Sequence, residues 1–305
     1  MIYTLTLNPA VDYVVHIRDL HQGNIHTSEK EFIFFGGKGI NVSVVLRELH
    51  VVSVPLGFLA GFTGQAIARD LKEKGIPGDF VCLDNGFSRI NIKIRSGGET
   101  DINGRGPSIP DEKMKELLKK LEKLQDGDIL VLTGSVPGTL PETTYETILS
   151  QLRGKKLRFI VDAAGKLLLH TLKYHPFFIK PNIEELEAIF QRPVAGVRDA
   201  VSCGEQLRKM GARNVLVSMG ASGAVLLDDT GKEHFREPIE GKTVHTVGAG
   251  DSMVAGFIAG YERTKDYAYA LELGVAAGSA TAFCQGLAGR EEILSLFNQS
   301  KRRNL

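Results

Sequence analysis

A rhythm of short apolar runs separated by helical stretches restricts this chain more than any other feature. Residues 129–132 are four consecutive apolar residues, long enough for a buried strand and too short for a helix. Positions 2–7, 54–59, 157–161, 177–179 and 215–217 share that character, and 79–83 reads as extended. Helical spacing fills the intervals at 40–49, 66–74 and 110–124. In the last of these Met114, Leu117, Leu118, Leu121 and Leu124 recur with lysines and glutamates between them. The final third turns helical, at 252–261, 267–283 and 291–297. Alternation of this kind predicts an α/β fold: a mostly parallel, doubly wound sheet with helices on both faces. A chain of 305 residues can bury roughly 75% of its unfolded surface without disulfides or a structural metal.

Two stretches break the rhythm. Positions 11–18 and 91–100 are strand-like but half polar. Asn91-Ile92-Lys93-Ile94-Arg95 alternates, Gly97-Gly98 turns the chain, and 100–103 returns, which predicts a hairpin with one wet face. We read these pieces as a small separate β-sheet, a lid inserted at about residues 11–35 and 87–105 of one domain spanning 1–305. The alternative is an antiparallel edge on the main sheet.

Formal net charge is +1, which gives no footprint for nucleic acid or an anionic membrane. Cys82, Cys203 and Cys284 form no CxxC pair and read as small hydrophobes in a reducing compartment. The first residues lack a signal-peptide pattern, and no run of 18 apolar residues exists. A cytoplasmic location is therefore expected, with Lys301-Arg302-Arg303 as a solvated tail.

Several motifs carry chemistry. Thr246-Val247-Gly248-Ala249-Gly250-Asp251-Ser252 precedes an apolar helix. Glycines there let successive N–H groups converge with the positive helix end on an anion. Asp251 beside such a cradle suits a general base for an attacking hydroxyl; its blander use is an N-cap. Gly36-Gly37-Lys38-Gly39-Ile40-Asn41 opens another helix. It is not a P-loop, because Phe32 stands where the first glycine is required and Gly39 where Ser or Thr is required. Glycine-rich backbone with a lysine still suits a phosphate or polyhydroxyl group. Lys180-Pro181-Asn182-Ile183-Glu184-Glu185 runs from a strand end into a helix. Asn182 and Glu185 can form a capping box or face Mg²⁺ through its waters. Ser218-Met219-Gly220-Ala221-Ser222-Gly223 turns between two strands. Arg89 and Asn91 lie on the expected lid, where an arginine can clamp a phosphate. No HExxH, GxSxG or helix-opening GxGxxG occurs.

Together these motifs resemble the ribokinase-like carbohydrate kinases, in the branch that acts on phosphorylated hexoses. The likeness runs from Thr6-Leu7-Asn8-Pro9-Ala10-Val11-Asp12 to Gly248-Ala249-Gly250-Asp251. It implies a ribokinase-like αβα sandwich and phosphoryl transfer from ATP, with Mg²⁺, to a sugar phosphate. Fructose 1-phosphate is the expected acceptor, with tagatose 6-phosphate and fructose 6-phosphate as alternatives. A nucleoside kinase and a non-catalytic sugar-phosphate sensor are competing expectations. The resemblance assigns Asp251 as base and the Gly248, Ala249 and Gly250 backbone as anion hole. Asp12, Gly37, Lys38 and Asn41 would hold the sugar, with Arg89 and Asn91 from the lid. Lys180, Asn182, Glu185, Ser218, Gly220 and Gly223 would line the ATP site, Glu185 meeting Mg²⁺ through water. A homodimer through the lid sheet is also implied. Two places depart from the pattern: Ala163-Ala164 where a hydroxyl residue is usual, and His245 where asparagine is common.

Overall fold

The computed structural model describes residues 1–303. In chain order the elements are β1 (Ile2–Thr6), β2 (Ala10–His16), β3 (Lys30–Gly36), α1 (Lys38–Glu48), β4 (Ser53–Ala60), α2 (Gly61–Glu73), β5 (Val81–Leu83), β6 (Arg89–Arg95), β7 (Glu99–Asn103) and α3 (Asp111–Leu121). There follow β8 (Ile129–Thr133), α4 (Thr144–Gln151), β9 (Arg158–Asp162), α5 (Gly165–Leu169), β10 (Phe178–Ile179), α6 (Ile183–Phe190), α7 (Gly196–Lys209), β11 (Asn214–Ser218), β12 (Ala224–Leu227) and β13 (Glu233–Arg236). Helices α8 (Ala249–Thr264), α9 (Tyr267–Phe283) and α10 (Arg290–Arg303) complete the chain. Helix α10 continues beyond position 297 to Arg303, so the backbone of the basic end is helical.

The main sheet has nine strands in the order β13-β12-β11-β10-β9-β8-β1-β4-β5. All pairings from β5 to β11 are parallel; β11–β12 and β12–β13 are antiparallel. The parallel strands are buried on both faces, which explains why their sequences read as continuous apolar runs. On one face Leu117, Leu121, Tyr145, Ile148, Leu186, Cys203 and Leu207, from α3, α4, α6 and α7, pack into the core. On the other, Val42, Val45 and Leu46 of α1 join residues of α8, α9 and α10. The result is the expected three-layer αβα sandwich.

Strands β3, β2, β6 and β7 form a separate four-stranded sheet. Strand β2 runs antiparallel to β3 and parallel to β6, and β6–β7 is the expected hairpin closed by Ser96 N–H donating to Gly98 O at 3.0 Å. Side chains alternate across its faces. One face carries the row Phe34, Asp12, Asn91, Asn103, and the other the row Ile33, Tyr13, Ile92, Ile102. Val11, Phe35 and Ile90, at the root, pack with Ile67 and Leu71 of α2. The edge-strand alternative is excluded, because these strands pair only with one another.

Candidate active site

The carboxyl ends of the parallel strands converge on one side of the sheet, where ligands of such folds bind. Thr133 ends β8, Asp162 ends β9, Lys180 follows β10 and Ser218 ends β11. Helices α1 and α8 start on the same side.

Helix α8 begins one turn earlier than expected. Its N-cap is Gly248, at φ 82°, with no side-chain cap. Glycine takes that left-handed geometry without a Cβ penalty. Asp251 is therefore not the N-cap but lies in the first turn. The Ala249 N–H donates to Thr246 O at 3.2 Å. The Gly250 and Asp251 N–H groups are left as the free donors of the helix end.

Asp251 is 5% exposed, yet its surroundings are polar. Its Oδ2 accepts from Asn41 Nδ2 at 2.8 Å. Gly36 makes room for that amide, since a Cβ there would stand 2.6 Å from Asn41 Oδ1. Burial pushes the Asp251 carboxyl up and nearby Asp162 adds to this, while Lys38, Asn41 and Lys180 pull it down; the balance is about 7. A group poised there suits proton abstraction near neutral pH.

Asp162 ties the cations of the site together. Its Oδ2 accepts from Lys38 Nζ at 3.3 Å and from Thr133 Oγ1 at 3.4 Å. Its Oδ1 faces Lys180 Nζ at 3.3 Å but has no well-aligned hydrogen bond. Burial would raise this carboxyl, but Lys180 and Lys38 outweigh it and hold it below the usual range. The Lys38 ammonium is raised in turn, mainly by Asp162. Lys180 also approaches the helix end: a Cβ on Gly250 would be 3.2 Å from its Nζ.

Asn182 and Glu185 form a capping box on α6. Asn182 Oδ1 accepts from Glu185 N–H at 2.8 Å, and Glu185 Oε2 accepts from Asn182 N–H at 3.0 Å. One Glu185 oxygen remains free. Ser218 lies beside Asn182 in a parallel bridge. The following segment, Gly220–Ser222, is a single 3-10 turn, and a Cβ at Gly220 would meet nothing within 4 Å.

The small sheet carries a second set. Asn91 Nδ2 donates to Asp12 Oδ1 at 2.7 Å, and Asn91 Oδ1 accepts from Gly104 N–H at 3.1 Å. Arg89 Nε donates to Asn8 O at 3.1 Å, and burial lowers its affinity for a proton against the pull of Asp12. Among the described residues no hydrogen bond or ion pair joins this set to the Asp251–Lys38–Asp162 cluster. Gly37, at the N-cap of α1, packs against Thr6 and Pro9 between the two sets.

Asn41, expected to face the sugar, donates from its Nδ2 to the Asp251 carboxyl. Two site residues were not singled out from sequence. Asp162 is the single polar residue closing the apolar part of β9, and that position was its one signal. Asn8 bridges Arg89 and the Arg105 carbonyl, with its Oδ1 buried and unpaired. Ala164, which departs from the expected hydroxyl, is the N-cap of α5 and makes no side-chain cap.

The profile of the pfkB family carbohydrate kinases matches residues 5–293. The 1-phosphofructokinase of Bacillus subtilis (strain 168) is 43% identical over 301 residues, covering 99% of each chain. The D-tagatose-1-phosphate kinase of Bacillus licheniformis is 38% identical over 288 residues, 94% of each chain. Phosphofructokinase-2 of Escherichia coli, solved in complex with substrates and products, superposes with a TM-score of 0.93 at 25% identity over 99% of each chain.

Proposed function

This chain belongs to the pfkB family of carbohydrate kinases, and from that premise we propose that it converts fructose 1-phosphate to fructose 1,6-bisphosphate. It is an ATP-dependent sugar kinase. In our reading the small sheet is the lid over the sugar. Asp12, Asn91, Gly37, Lys38 and Asn41 hold the sugar, and Arg89 meets the phosphate it already carries. Asp251 takes the proton of the attacking hydroxyl. The Gly248–Ala249–Gly250 turn and the free N–H groups after it receive the migrating phosphoryl group, with Lys180 close by. The nucleotide lies along Lys180, Asn182, Ser218, Gly220 and Gly223.

The observation that carries this reading is the Asp251 carboxyl, raised to about 7 and held by Asn41 beside an uncapped helix end. Magnesium fits the donors present. Glu185 keeps one oxygen free beyond its capping bond. It would hold the ion through water, and the ion would neutralise charge on the ATP phosphates. Among the described residues no three His, Cys, Asp or Glu side chains converge into a cage.

Tagatose 1-phosphate is the second reading, because a relative at 38% identity is named for it. Among the described residues no helix is long and apolar enough to cross a membrane, and a cytoplasmic site of action is part of the proposal. The test is a panel of fructose 1-phosphate, tagatose 1-phosphate, fructose 6-phosphate and tagatose 6-phosphate with MgATP, ranked by kcat/KM. Fructose 1-phosphate is expected to rank first. A rate for it well below any other member overturns the assignment.

A further inference from the structure

The turn that leads into α8 is tied to a second segment, the connection from α9 to α10. His245 Nε2 lies 2.8 Å from the Gly286 N–H. A backbone N–H can only donate, so Nε2 must be the unprotonated, accepting nitrogen. The proton of the neutral ring then sits on Nδ1, which is buried and has no well-aligned hydrogen bond. The bond to Gly286 is the well-aligned one that holds the ring. Burial is the first cause that keeps it neutral and Arg95 of the lid the second; Glu99 pulls the other way, ahead of a further push from Lys93 and an opposing pull from the Val247 backbone.

Gly286 and its neighbours touch both halves of the site. A Cβ on Gly286 would stand 3.3 Å from Phe34 Cε1, on the lid face that also carries Asp12 and Asn91. One residue on, Leu287 packs so closely on the anion-hole turn that a Cβ at Gly248 would meet its Cδ2 at 2.6 Å. The same segment is fastened to α8 by a relay in which Thr281 Oγ1 pairs with Ser252 Oγ at 2.8 Å and accepts from Ala288 N–H at 3.1 Å. Backbone bonds from Val244 and His245 to Ala282 O align the two stretches.

We propose that His245 is a positioning residue: its bond to Gly286 sets the 284–288 segment between Phe34 of the lid and Gly248 of the anion hole, so that lid and anion hole share one register. The inference rests on the kinase reading above. It makes His245 act through Gly286 and Leu287, without touching substrate.

The test compares His245→Ala, His245→Gln and Phe34→Ala with the parent, on MgATP and the sugar phosphate the parent turns over fastest. Glutamine carries an oxygen to about the depth of Nε2, and alanine leaves the Gly286 N–H without an acceptor. His245→Ala should lower kcat by about 10- to 10²-fold, the scale of a small misplacement of reacting groups. Sugar-phosphate KM should move far less, and His245→Gln should recover most of the rate. Because both positions bear on one segment, the His245→Ala/Phe34→Ala double variant should lose less than the product of the single losses. An unchanged kcat in His245→Ala overturns the proposal. So does a multiplicative double variant, or a glutamine variant as impaired as alanine at an equal melting temperature. If the parent itself transfers no phosphoryl group to any sugar phosphate, the kinase reading falls instead.

Discussion

At the scale of single residues, the fate of one proton decides most of what can be measured. The Asp251 carboxyl keeps its proton up to about pH 7 in the folded chain, against an ordinary value of 3.8. A base must be ionised, so kcat should rise with pH through about 7; a profile flat from about pH 5 to about pH 9 would remove Asp251 from that role. Stability should move the other way. Between 3.8 and about 7 the folded state binds a proton that the unfolded chain has released, so this group's contribution is lost as pH rises. Asp251→Asn cannot ionise, and its melting temperature should fall less between acid and alkaline buffer than the parent's. That variant should also lose about 10²–10⁴ in kcat, the usual range for a missing general base. Asp251 could be found from sequence because glycines precede it, and Lys38, Asn41 and Lys180 because they stand in motifs of their own, but Asp162 could not. Asp162 belongs to a strand whose other residues are apolar, and nothing local says that two lysines from Lys38 and Lys180 will close on it. That knowledge lives in the sheet order.

At the scale of elements, what was legible follows from periodicity. Strands β1, β4, β8 and β9 and helix α9 lie within a residue or two of expectation, since buried strands and a long apolar helix announce themselves. Helix α2 starts at Gly61 rather than at 66, because its first turn is Gly-Phe-Thr-Gly-Gln, a run with poor helix propensity that the end of β4 holds in place. The early start of α8 at Ala249 is hidden for the same reason, as glycines conceal a helix that packing enforces. That packing is close. A Cβ at Gly256 would lie 2.6 Å from Leu273 O and 2.9 Å from Ala277 Cβ, so α8 meets α9 almost backbone to backbone. Gly256→Leu should destabilise the fold by at least about 1–3 kcal/mol through overpacking, measured by denaturant unfolding. Because α8 carries the anion hole at its head, kcat should drop as well. A variant with parental stability would show that the helices can part freely.

At the scale of the whole molecule, the exposed side of the small sheet stands out. Ile33, Ile92 and Ile102 are 58%, 38% and 54% exposed and share a row with Tyr13. An apolar row rimmed by polar residues is the surface expected of a contact between copies, and we propose a homodimer through it. Ile33→Asp/Ile92→Asp should halve the mass seen by light scattering and leave the fold intact, since neither side chain contributes to the core clusters. A parent chain that is already monomeric at high concentration would sink this reading.

The alternation of side chains along β2 and β6 has a practical corollary. Even-numbered positions on β2 and odd-numbered ones on β6 point toward the cleft, and their immediate neighbours point away. On the proposed reading, redesign of acceptor choice would centre on Asp12 and Asn91. A library displaced by one residue would then sample the proposed dimer face instead, so the two properties would evolve on separate, interleaved sets of codons.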